Sequence, residues 1–211
     1  MTKILVLTSI IGAALASAAT AAAPTLSLTA SAPTVDFGKP VTLSGTLSGQ
    51  KGNQNVALDA TECGSTKATR VATVKTAANG TYTTIVSPLA ATKYQASNKN
   101  LTSSTVAVTV RPLLQLVKVA RNSYTGKVTV GRSLKGKTVM FQRYSRLRKR
   151  WVQVKRLILT TETVGPAAKP LVVDSVSFKA KLAKKTRVRL LISAAQAGPC
   201  YLSVGSNVLR A

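Results

Sequence analysis

The sequence predicts an all-β protein of two tandem sandwiches behind a leader segment, and three observations carry that reading. Helical periodicity is scarce along the chain. Short alternating segments rich in Val, Thr, Leu and Ile recur with Gly, Pro, Asn or Ser between them, at the roughly ten-residue spacing of a sandwich or barrel. The second half of the chain then repeats the pattern of the first.

The chain opens MTKILVLTSIIGAALASAATAAAP: Lys3, an apolar run from Ile4 to Leu15, then small residues. That is the layout of a secretory signal peptide over residues 1–23, with cleavage expected after Ala18, Ala21 or Ala23. The apolar run is shorter than the roughly 20 residues that a membrane-spanning helix needs. No cysteine follows it closely and the tail SNVLRA is not an apolar anchor. The expectation is a bacterial protein that is secreted or held noncovalently at the cell surface.

After the leader, candidate strands of the first half are TLSLTA (25–30), PVTLSGTL (40–47), QNVALDA (54–60), RVATVKT (70–76), TYTTIVS (81–87), TKYQASN (92–98) and TVAVTVR (105–111). Seven short strands in this span fit a sandwich of the immunoglobulin type. In the second half, VTVGRSLKG at 128–136 aligns with VTLSGTLSG at 41–49, matching Val41 with Val128, Thr42 with Thr129, Leu47 with Leu134 and Gly49 with Gly136. The boundary falls near Arg111 and Pro112, giving domains over 24–112 and 113–211.

The succession GKPVTLSGTLSG, NVAL, ANGTYTTIVSPLAATKYQAS and VAVTVRP resembles the tandem immunoglobulin-like modules of secreted and surface-exposed bacterial proteins. The resemblance rests on turn glycines, strand alternation and an aromatic in the sixth strand, Tyr94. It implies adhesion, spacing or ligand display and brings no catalytic residues with it.

The chain has no histidine, which removes the usual general base, the common triads and most zinc sites. Its five acids, Asp36, Asp59, Glu62, Glu162 and Asp174, are scattered. Only Asp59 and Glu62 lie close in sequence, and no calcium loop, phosphate loop or nucleophile elbow is written in the chain. The expectation is a non-enzymatic protein with no catalytic residue, no metal and no cofactor.

Two cysteines in an exported chain make a disulfide the first hypothesis, with free thiols or intermolecular pairing as alternatives. Strand direction tests whether the pair can meet. Cys63 follows the third strand of the first domain and should face the second; Cys200, in AAQAGPCY before the last strand, should face back. Both cysteines therefore point at one junction, and a Cys63–Cys200 bridge between the domains is expected.

Charge is the remaining signal. The 30 Lys and Arg against 5 Asp and Glu give a formal net charge of +25, and residues 113–211 hold 21 of the bases but only 2 of the acids. The densest run, YSRLRKRWVQVKR, reads as the turn and second strand of a hairpin at the tip remote from the first domain. Alternation sets Trp151, Gln153 and Lys155 on one face of that strand and Val152, Val154 and Arg156 on the other.

Arg146, Arg148, Lys149, Arg150, Trp151, Lys155 and Arg156 are the candidate anion-binding residues. Arg offers paired donors to phosphate, sulfate or carboxylate, and an aromatic offers a flat face. The bases of KAKLAKKTRVRL, 179–189, extend the surface if the strands adjoin. An anionic polysaccharide or envelope glycopolymer is the expected partner, with nucleic acid bound only nonspecifically. The alternatives are a purely structural spacer, in which the bases only protect an edge strand from pairing, and a cationic nucleic-acid- or membrane-active protein.

Overall fold

The computed structural model describes residues 23–166 and 171–211. The expected leader, apart from Ala23, lies outside the described residues.

Ten strands precede Pro112: β1 (Thr25–Leu26), β2 (Thr29–Ala30), β3 (Thr34–Asp36), β4 (Val41–Ser48), β5 (Asn55–Glu62), β6 (Thr69–Lys75), β7 (Thr81–Val86), β8 (Thr92–Asn98), β9 (Leu101–Thr102) and β10 (Val106–Arg111). Nine follow: β11 (Leu113–Ala120), β12 (Ser123–Val130), β13 (Thr138–Ser145), β14 (Arg150–Ile158), β15 (Thr161–Val164), β16 (Val172–Lys179), β17 (Arg187–Ile192), β18 (Val204–Gly205) and β19 (Leu209–Arg210). One short helix, α1 (Ala194–Ala197), interrupts them. The protein is nearly all β, as its alternation requires.

Four sheets result. β4 takes β1 and β2 along one side and β7 along the other, while β3-β10-β8-β5-β6 form the second sheet with β9 on β8. The third sheet is β11-β12-β16-β15, and the fourth is β14-β13-β17-β18 with β19 on β17. Every described strand pairing stays on its own side of Pro112.

Alternation explains the packing. In β4, Val41, Leu43 and Leu47 are buried while Thr42, Ser44 and Thr46 stay partly exposed. They meet Val56, Leu58, Tyr94, Val108 and Val110 of the opposite sheet in one core. Beyond Pro112 the core is Leu114, Leu116, Val128, Val139, Leu190 and Ile192. It is closed at the strand ends by three rings: Tyr124 lies 5.5 Å from Phe141 and 5.6 Å from Phe178, and Phe141 lies 4.9 Å from Phe178. Such offset and edge contacts suit the ring quadrupoles.

TLSLTA, expected as one strand, is two. The Ser27 carbonyl accepts the Tyr82 hydroxyl, so the Thr46 amide takes the Ser27 hydroxyl instead, at 2.9 Å. Gly45 makes room for this crossing, because a Cβ there would fall on Ser27 O and Tyr82 Oη. The expected repeat register also shifts. Val41 opens β4, whereas Val128 lies near the end of β12 and Leu134 in the turn beyond it. The halves correspond in strand order, and the shared Val-Thr dipeptide sits at opposite ends of corresponding strands.

Cys63 and Cys200 form a disulfide with Cα atoms 5.3 Å apart. Backbone bonds flank it: Ala91 N donates to Cys200 O at 3.0 Å and Leu202 N to Val110 O at 3.0 Å. The Tyr201 hydroxyl accepts the amides of Gly131 and Arg132 at 3.1 and 2.9 Å, and the Arg132 guanidinium reaches Glu62 at 4.0 Å. The junction expected from strand direction is thus tied covalently and by main-chain bonds. No helix among the described residues is long and apolar enough to cross a membrane.

Candidate anion-binding surface

The basic run lies where strand alternation puts it, on the hairpin of β13 and β14. Thr138, at the start of β13, donates its amide to Gln196 of α1, beside the Cys200 turn. Eight residues of strand, roughly 27 Å at full extension, then carry the chain to Ser145 and the turn 146–149. The turns 121–122 between β11 and β12 and 180–186 between β16 and β17 lie at this same far end.

The hairpin contains a bulge. Phe141 pairs with Lys155 but Gln142 pairs with Gln153, which leaves Val154 as the extra residue. A bulge switches the faces of whatever follows it. Trp151 and Gln153 therefore share the outer face with Arg156, and Lys155 joins Val154 on the inner one. Lys155 instead donates from Nζ to Lys179 O at 2.8 Å. The expectation that Lys155 sits beside Trp151, and Arg156 opposite, is corrected by this single extra residue.

The outer face is completed by β17, which pairs with β13: Gln142 lies opposite Arg189. The strands of 138–145 and 187–192 adjoin, so the second basic run does extend the first. Tyr144 pairs with Trp151, their ring centroids 5.5 Å apart and tilted edge to face. The Arg187 guanidinium lies 5.0 Å from the Tyr144 ring centre and 5.8 Å from that of Trp151, and Arg189 lies 4.3 Å from Trp151. These are cation–π distances. Arg189 also donates from Nε to Gln142 Oε1 at 2.9 Å. Burial pulls the Arg189 pKa down from the ordinary guanidinium value. Two guanidinium groups are thus held by rings and an amide.

Inward of the hairpin turn, a cleft of about 690 Å³ opens between two turns. Arg143, Arg146 and Arg148 line one wall, and Lys184, Lys185 and Arg187 the other. A smaller depression over Lys118, Arg121, Lys181 and Lys184 continues around the end. Lys149 and Arg150 are exposed at the turn.

All five carboxylates lie elsewhere. Asp59 holds Arg70 at 2.6 Å, Asp36 reaches Arg111 at 3.6 Å and Glu62 reaches Arg132. Glu162 and Asp174 face each other across β15 and β16, with the single Ser133 hydroxyl donor within reach of both, at 2.5 and 3.1 Å. Asp174, fully buried, also accepts the Leu134 amide at 2.6 Å. No Asp or Glu side chain lines the cleft or the depression, while Ala211, the last residue of the sequence, borders the depression and accepts the Lys185 amide at 3.3 Å. Among the described residues no group of three or more His, Cys, Asp and Glu is placed to hold a metal.

The sequence reading missed Lys118 and Arg121, although the alternation that placed the hairpin tip also places the turn 121–122 there. It also missed the Glu162–Asp174 pair, which only the pairing of β15 with β16 brings together. Comparison of the chain with protein-family models and with curated proteins finds no match.

Proposed function

We propose that this is an exported, non-enzymatic binding or adhesive module of the cell envelope or extracellular space, which holds an anionic polymer through the bases beyond Pro112. The two halves are read as immunoglobulin-like sandwiches, coupled rigidly by the Cys63–Cys200 bridge. Their strand order supports this: β4 lies between β1/β2 and β7 as β12 lies between β11 and β16, and β5-β8-β10 corresponds to β13-β17-β18. The single observation that carries the binding reading is the disposition of charge. Every Asp and Glu side chain is engaged away from the far end, and the cations there converge on a cleft lined by no Asp or Glu.

Like charges gathered in this way repel one another, and a polyanion relieves that repulsion while releasing its own counterions. Retention on a sulfated resin tests the reading. Wild-type protein should elute late in a salt gradient, and R146Q/R148Q/K149Q/R150Q should elute early with an unchanged fold by circular dichroism. Equal retention of the two would favour the structural spacer, whose one supporting observation is the covalent coupling of the halves.

A further inference from the structure

The cleft between the turns 146–149 and 183–186 points to a narrower ligand class than its charge alone. Two backbone positions there run against local preference. Lys149 closes the hairpin turn with φ 48° and Lys185 stands third in the turn from Ala183 to Thr186 with φ 63°. That turn is closed by Thr186 N to Ala183 O at 3.2 Å, and the Thr186 hydroxyl donates to the same carbonyl at 2.7 Å. Glycine or asparagine is the ordinary residue where φ is positive. The chain uses them so at Gly38, Gly49, Gly80, Asn53 and Asn122. Lysine takes such a position three times, at Lys99, Lys149 and Lys185, so the conformation alone does not mark a site. What distinguishes Lys185 is its place on the cleft wall facing Arg143, Arg146 and Arg148. Lys99, at φ 49° in a turn before Pro112, is the internal control.

The donors come from both walls, so an oxyanion in the cleft meets them from opposite sides. A planar carboxylate accepts chiefly in its own plane, whereas a tetrahedral phosphate or sulfate presents oxygens to both walls. A volume of about 690 Å³ holds a few units of a single flexible chain. Tyr144, which lines the cleft, and Trp151 already carry Arg187 and Arg189 against their rings, which competes with the stacking of successive bases.

Resting on the polymer-binding reading above, we infer that this cleft, with Lys184 and Lys185 as its inner wall, is the gripping site for a single flexible chain of phosphodiester, polyphosphate or sulfate groups. Leu147 marks the competing possibility. It is 94% exposed between Arg146 and Arg148, as an apolar residue inserted into an anionic lipid surface would be.

The test compares binding of inorganic polyphosphate, dextran sulfate and polygalacturonate, matched in charge, to the full protein. Wild type should bind the first two about tenfold or more tighter than the carboxylate polymer, since each charge-assisted contact is the stronger for its geometry. K184Q/K185N should weaken both, reduce the slope of log affinity against log salt by about 1.4 for two contacts to a single chain, and melt no lower than wild type. K99N should bind as wild type does. Relative affinity for polyphosphate and dextran sulfate separates phosphate from sulfate sources. If K184Q/K185N binds normally while R146Q/R148Q/K149Q/R150Q does not, the cleft is overturned and polymer binding stands. If wild type binds no polyanion at physiological salt, both fall. Tighter binding to phosphatidylglycerol vesicles than to any polymer, lost in Leu147→Ser, or tighter binding to duplex DNA, overturns the inference as well.

Discussion

The Arg189 guanidinium stands 4.3 Å from the centre of the Trp151 ring, two strands away across β13. It connects the two basic runs of the sequence through an aromatic side chain. The contact, with the Tyr144 edge and Arg187, should contribute about 1–3 kcal/mol in total. Trp151→Ala should therefore lower the denaturation free energy by that amount, and Trp151→Phe by less than half of it. Urea titration of the three proteins measures both. Trp151 is the sole tryptophan in the chain, so the emission of the wild type also reports this face directly.

Removing the bridge should weaken the coupling of the halves. A loop closed over a sequence separation of 137 corresponds to about 5 kcal/mol on the chain-entropy model. Cys63→Ser/Cys200→Ser should melt at lower temperature, and its calorimetric trace should resolve two transitions where wild type gives one. A single unshifted transition in the variant would show that the main-chain bonds at Ala91 and Val110 suffice alone.

Gly45 is a steric requirement. Gly45→Ala forces the methyl group onto Ser27 O and Tyr82 Oη, and overpacking of this kind costs roughly 1–3 kcal/mol. Tyr82→Phe in the same chain should recover part of the loss, because it removes one of the three clashing atoms and leaves Ser27 O and the ring Cζ. A chemical-denaturation cycle over the four proteins checks this.

Alkaline stability follows from the buried phenols. Burial pushes the pKa of Tyr82 and of Tyr94 up to about 12. The folded values exceed the ordinary value near 10, so the unfolded chain loses its phenolic protons first. The contribution of each phenol to stability is thus full below about pH 10 and is lost as pH rises toward 12. Tyr82→Phe and Tyr94→Phe should each flatten the fall in stability over that window. The remaining groups are common to all three proteins, so the differences isolate the phenols.

Much of this was legible beforehand because it depends on alternation. Period-two patterning located Val41–Ser48 and Thr92–Asn98 to within a residue or two, and strand direction alone brought Cys63 to Cys200. What escaped the sequence depends on one residue more or less. The extra Val154 moved Lys155 off the Trp151 face, and the Ser27 hydroxyl, substituting for its own carbonyl, split one strand into two. Alternation carries no record of a bulge, nor of which side-chain oxygen a backbone amide will choose. The repeat was readable as order, but local likeness misplaced its register, since Val-Thr pairs recur at either end of a strand. The site was half legible: the hairpin turn was found, while its second wall at Lys184 to Arg187 needed the pairing of β13 with β17.

The central claim is that unpaired cations at the far end hold a polyanion. The most direct test is the salt dependence of inorganic polyphosphate binding, followed by Trp151 emission from about 0.05 M to about 0.5 M salt. Six cleft cations on a single chain predict a slope of log affinity against log salt near −4, and R146Q/R148Q/K149Q/R150Q should be markedly shallower. A slope near zero, or one identical in the two proteins, would contradict the account.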